Sequence, residues 1–72
     1  MAVTTIEITR EPVELYKLLK FEGLAESGAA AKHLVDEGRV LVNGEPESRR
    51  RRKLVSGDTV SLDGEAFLLK RM

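Results

Sequence analysis

Four arginines and a lysine, Arg49 to Lys53, stand in an unbroken row in a chain of only 72 residues. No other feature restricts the fold as much. A strand would send Arg49, Arg51 and Lys53 to one face and Arg50 and Arg52 to the other. Neither face could then be buried without stranding cations, at a cost on the order of several kcal/mol each. The run must therefore lie on an exposed edge or loop, and the core must come from the sequence on either side of it. A domain this small gains roughly 3–5 kcal/mol of net stability from its core, so one misplaced charge would be serious.

The remaining sequence reads as alternating short elements closed by glycines. Val3 to Thr9 is β-branched and roughly alternating, which predicts a strand. Pro12 suits the first turn of a helix, and Leu15, Leu18 and Leu19 follow at helical spacing until Gly23. Ser27 is placed to N-cap a second helix with Ala31, Leu34 and Val35 as its apolar stripe, ended by Gly38. Beyond it, Asn43-Gly44 predicts a tight hairpin, because both residues tolerate positive φ. Val40 and Val42 share one face of the strand before that turn. Ser56-Gly57-Asp58 and Asp63-Gly64 predict two more turns, around a strand in which Val60 and Leu62 point inward. The sequence thus predicts an α+β fold in the order β-α-α-β-β-β. It is a two-helix hairpin packed on a small, mostly antiparallel sheet, forming a single domain over residues 1–72.

Composition narrows the function. Lys plus Arg and Asp plus Glu both number 12, so the formal net charge is zero. Setting the basic run aside leaves seven basic residues against twelve acidic ones, so the molecule is electrically lopsided. There is no Cys, which excludes disulfides and thiolate metal sites. The lone His33 has no metal-ligand spacing around it, and Glu37 one turn on is a simple pairing partner. Neither a nucleophile motif nor a phosphate-cradling glycine loop is present, so no enzyme, cofactor or metal is expected. "MAVTTIEITREPVE" lacks a basic segment followed by an apolar run. No apolar stretch reaches the roughly 18 residues of a membrane span. The expectation is a cytoplasmic protein with no membrane partner.

A polyanion is the natural partner of the basic run. Like charges crowded in Arg49, Arg50, Arg51, Arg52 and Lys53 repel one another, and bound phosphates would remove that cost. Arginine's planar fork also matches phosphate. On the first helix, Tyr16, Lys17 and Lys20 fall away from the leucine stripe, with Tyr16 and Lys20 one turn apart. A ring beside lysines is placed to stack a base while the ammonium groups hold phosphates. Lys32 and Arg39 extend the set. Short basic runs are also found merely solvated or guarding sheet edges, and an acidic protein docking on Arg49–Lys53 is the alternative partner. A helix-turn-helix on DNA is a weaker fit, since only Lys32 and His33 on the second helix could reach bases.

Four pieces in order then become specific. "GLAES" at Gly23 to Ser27, "AKHLV" at Ala31 to Val35, "GRVLVNG" at Gly38 to Gly44 and "GDTV" at Gly57 to Val60 resemble the S-four RNA-binding domain, named after a small-subunit ribosomal protein. The resemblance runs through a core motif over residues 12–62, and the whole chain looks like a small stand-alone bacterial member. It implies a non-catalytic RNA-binding protein acting on structured, ribosomal RNA in translation or ribosome assembly. RNA would be the partner of a monomer, with ribosomal proteins as further candidate partners. By position, Ser27, Lys32, Arg39 and Asn43 would lie at or near the RNA face. The sequence departs from the family pattern at Gly28, where Arg is frequent, and at Arg50-Arg51-Arg52, where a Pro-Ser-Tyr-like stretch is frequent. It departs again at Glu47, which takes a usually apolar position.

Overall fold

A computed structural model describes residues 3–72. Its elements are β1 (Val3–Ile8), β2 (Val13–Glu14), α1 (Leu15–Phe21), α2 (Gly28–Asp36), β3 (Val40–Val42), β4 (Glu45–Pro46), β5 (Lys53–Leu54), β6 (Thr59–Leu62) and β7 (Glu65–Arg71). The main sheet has the order β1-β7-β6-β3-β4, and β2 with β5 forms a separate two-stranded ladder. Pairing is antiparallel except between β1 and β7, which run parallel with Val3 opposite Ala66 and Ile8 opposite Arg71.

The alternation in each strand decides which face is inward. Ile6 and Ile8, Val40 and Val42, Val60 and Leu62, and Phe67 and Leu69 are all buried, while the residues between them are not. Against this sheet the two helices lay Leu15, Leu18 and Leu19 from α1 and Ala31 and Val35 from α2, completing one hydrophobic cluster with Leu54. The turns are as the sequence predicts. Asn43 (φ 52°) with Gly44 (φ 85°) and Asp63 (φ 49°) with Gly64 (φ 87°) supply the two consecutive left-handed residues that a tight hairpin turn requires. Ser27 caps α2, its hydroxyl accepting the Ala30 N–H at 3.1 Å.

One expectation fails at the start of the first helix. Pro12 does not occupy its first turn. The Glu11–Pro12 peptide is cis, and Val13 and Glu14 pair with Leu54 and Lys53. The helix begins only at Leu15, because the backbone ahead of it is committed to β5. Its first orphan donors are taken from the same side, as the Leu15 N–H donates to the Arg52 carbonyl at 2.9 Å and the Tyr16 N–H to the Arg50 carbonyl at 3.1 Å. The arginine run is thereby bound to the helix by its main chain, whatever its side chains do.

Leu19 is fully buried where the helices meet the sheet. Leu19→Ala should destabilise by about 2–5 kcal/mol, comparable with the whole stability expected of so small a core. Urea denaturation followed by circular dichroism should show a largely unfolded protein near 37 °C.

Candidate nucleic-acid interface

The segment from Ser48 to Arg52 is a loop between β4 and β5, and Lys53 opens β5. Arg49, Arg51, Arg52 and Lys53 line one open depression of about 610 Å³. The exposed location expected of the basic run is thus present. The expectation of mutual, unrelieved repulsion is not. Glu47 is almost completely covered, with a side chain 8% exposed, and it sits under the loop as a counter-ion. Its Oε2 accepts the Arg49 N–H at 2.9 Å and Arg49 Nε at 3.0 Å. Its Oε1 accepts Arg49 Nη2 at 3.1 Å and Arg52 Nη1 at 2.7 Å. A buried charge persists only when its lone pairs are satisfied, and here both oxygens are.

Asp36, the last residue of α2, takes Arg50 in a two-pronged pair through Nε and Nη2. Arg51 is only loosely matched, its Nε lying 4.0 Å from Glu14 Oε2. Lys53 makes no ion pair among the described residues. The run therefore divides into three arginines held by the protein's own acids and two cations left largely to solvent.

The second helix-borne group gathers on Tyr16. Lys32 Nζ stands 4.7 Å from the centre of its ring, and Lys17 Nζ and the Arg51 guanidinium carbon each stand 5.9 Å away. One edge of the ring rests against Gly28, where an added Cβ would meet Tyr16 Cε2 at 3.7 Å. The ring lies half-buried against the core. Tyr16 is thus a hub at which cations from both helices and the loop gather, an attraction of the ring quadrupole for ammonium and guanidinium groups. Arg51 belongs to both groups and joins them into one surface.

Other residues singled out in the sequence lie elsewhere or are occupied. Lys20 is exposed on α1, outside both groups. Arg39 is paired with Asp63 in the turn between β6 and β7, through Nε and Nη2. Asn43 is consumed by the fold, its Oδ1 accepting the Thr59 N–H at 2.9 Å and its Nδ2 donating to Asp58 at 3.1 Å. The hydroxyl of Ser27 is similarly committed to its cap. Sequence reasoning did not foresee the anchoring roles of Glu47 and Asp36. The one signal for Glu47 was an acid at a position the family keeps apolar, and nothing in the sequence signalled Asp36.

These pairs shift protonation as expected. Hydrogen bonds from Arg49 and Arg52 hold the Glu47 carboxyl at about 2. A hydrogen bond from Arg50 lowers Asp36, one from Arg39 lowers Asp63, and one from Lys17 lowers Glu14. Conversely, Glu47 raises Arg49, Asp36 raises Arg50 and Asp63 raises Arg39.

With the geometry in hand, comparison with known proteins identifies the scaffold. Residues 6–70 match the S4 domain. The chain belongs to the S4 domain family. It is 48% identical over 65 residues to the "Putative RNA-binding protein YbcJ" of Escherichia coli (strain K12), covering 89% of this chain and 93% of that one. It is 44% identical over 59 residues to the "Probable ribosome maturation protein RlbA" of Bacillus subtilis (strain 168), covering 82% of this chain and 83% of that one. Among solved structures, the solution structure of YbcJ from E. coli superposes with a TM-score of 0.71 at 42% identity, over 97% of this chain and 90% of that one. That structure is described as revealing an "ALFAL motif involved in RNA-binding". The S4 domain match takes in the second half of β1 and nearly all of β7 as well as the helices.

The Glu47 carboxyl links stability to pH. Its folded value near 2 lies below the ordinary 4.5, so its contribution is complete above about 4.5 and is lost as pH falls towards about 2. Allowing for screening at the exposed Arg49 end, that contribution is about 2 kcal/mol. Urea midpoints measured from pH 6 down should decline most steeply across this window, and Glu47→Gln should flatten the decline.

Proposed function

We propose that this S4 domain is a non-catalytic RNA-binding protein that holds structured RNA by its phosphates, in translation or ribosome assembly. The single observation that carries the reading is convergence. Lys17 from α1, Lys32 from α2 and Arg51 from the loop meet on one tyrosine ring, and Arg51 continues into the depression lined by Arg49, Arg52 and Lys53. Separate elements thus bring six cations to one continuous side of a chain with no net charge. RNA supplies phosphates in a series at regular intervals, which suits a surface of this kind. The names carried by the E. coli and B. subtilis relatives point in the same direction, the latter towards the ribosome.

The unpaired or weakly paired members, Lys32, Arg51 and Lys53, make the main contacts in this reading. Arg49 and Arg52 add the donors that Glu47 leaves unused. Arg39, Asn43 and Ser27 are engaged in pairs within the fold, and Lys20 has no part in the two groups. In this reading these residues bind phosphates, in line with a family defined by a binding domain.

Contact with about four phosphates of single-stranded character should give a slope near −3 for log affinity against log salt. A flat line would remove the reading. Lys32→Glu combined with Arg51→Glu should weaken binding about a hundredfold while the circular dichroism spectrum stays native, since neither side chain anchors the loop. The same treatment of all four arginines is not a clean test, because Glu47 and Asp36 would lose their partners and the fold would suffer.

Asn43 gives the opposite contrast. Asn43→Ala should cost about 1–2 kcal/mol of stability through the lost Thr59 and Asp58 bonds, yet leave the RNA affinity of the folded protein unchanged. Arg50 donates to a carboxylate in this structure, so an acidic protein is the competing partner. A pull-down in which a protein stays bound after RNase treatment and RNA does not compete would favour it.

A further inference from the structure

We infer that Glu47, an acid inside a basic surface, is a positioning residue for phosphate binding, so that removing its negative charge weakens the grip on RNA. The inference rests on the RNA-binding reading above and adds to it a residue which that reading does not use.

The geometry of the donors carries the argument. A guanidinium group presents five N–H donors in a fixed fork. Glu47 takes Arg49 by Nε and Nη2 and Arg52 by Nη1 alone. Arg49 keeps Nη1 free of protein partners among the described residues, and Arg52 keeps Nε and Nη2. Both side chains also line the same open depression. One carboxylate therefore fixes two guanidinium groups side by side and leaves donors of each unused. Arg49 is 69% exposed and Arg52 30% exposed, so the pair is held from below while its upper part stays in water. The loop's main chain is fixed in the same act, because Glu47 also accepts the Arg49 N–H.

Electrostatics alone predicts the reverse. Glu47 cancels one of the four positive charges around the depression, and its removal would raise the local potential. The opposing effect is order. Without the carboxylate, two long side chains would repel each other and sample many rotamers, and RNA would have to immobilise both on binding. Fixing rotamer-rich side chains in advance favours association by removing that cost. Screening by salt reduces the gain from one extra unit of charge at an exposed site. Ordering therefore outweighs charge at Glu47. Asp36 provides an internal comparison, since it is exposed, holds only Arg50 and makes no hydrogen bond to the loop backbone. It acts as a competitor for phosphate.

The test measures binding of a fluorescein-labelled RNA stem-loop and of polyuridylate by anisotropy, at several salt concentrations. Glu47→Gln, which keeps the shape and the acceptor oxygen, is expected to bind about tenfold more weakly than the unaltered protein. Asp36→Asn is expected to bind more tightly, although both variants gain the same charge. Glu47→Gln binding as tightly as the unaltered protein, or more tightly with a steeper salt slope, would overturn the inference. If Glu47→Gln fails to fold, Arg49→Lys preserves the charge at a mostly exposed position and removes the side-on pair. A severalfold loss is expected there, and unchanged affinity would overturn the proposal. Absence of RNA binding by the unaltered protein would instead defeat the reading on which this one stands, so the two failures are distinguishable.

Discussion

Two main-chain hydrogen bonds organise the rest of this structure: the Arg52 carbonyl accepting the N–H of Leu15, and the Arg50 carbonyl accepting that of Tyr16. A helix of seven residues has a large share of its donors unsatisfied at its first turn, and α1 has no side-chain cap at Glu14. The arginine loop supplies what the cap does not. In return the helix dictates where the loop runs, and the β2–β5 ladder beside it fixes the same juncture a second time. The basic segment is thereby part of the frame and does not behave as a tail laid over it.

Such an arrangement creates an electrostatic difficulty that the fold resolves locally. Consecutive cations pinned by their backbone cannot drift apart, so counter-charges must come to them. Glu47 reaches up from beneath and Asp36 across from the end of α2. Exposed ion pairs of this kind contribute little each to stability, but the covered Glu47 differs because it satisfies a backbone N–H and two guanidinium groups together. The result is a surface neutralised on its inner side and open on its outer side. Tyr16 performs a similar task without charge, drawing two lysines and an arginine around one ring.

Much of this was legible in the sequence wherever a local rule was strong. Glycines and Asn43 marked the turns because few residues accept positive φ. The period-two burial of Val40, Val42, Val60 and Leu62 followed from simple alternation, and Ser27 announced its helix. What stayed hidden depended on distant partners. Pro12 has a fixed φ suited to a helix start, but the pairing of Val13 and Glu14 with residues forty positions away determined the outcome. The parallel run of β1 on β7 left no pattern in either strand. At the interface, exposure of the basic run could be argued from charge alone, whereas its division into paired and unpaired members required knowing that Asp36 ends α2 beside it. Asn43 was placed near the RNA face by the family resemblance alone, and the bond that its side chain makes to Thr59 sixteen residues on left no local signal.

The parallel pairing of Val3–Ile8 with residues 66–71 has a temporal meaning. Every other ladder of the main sheet joins segments much nearer in sequence, so each closes a shorter loop. β1 has β7 as its one neighbour in the sheet, and loop closure over the span between them makes its docking the slow step among these ladders. Until it docks, Ile6 and Ile8, buried in the finished fold, stay exposed. The edge of the sheet is thus the part whose closure spans the longest stretch of sequence.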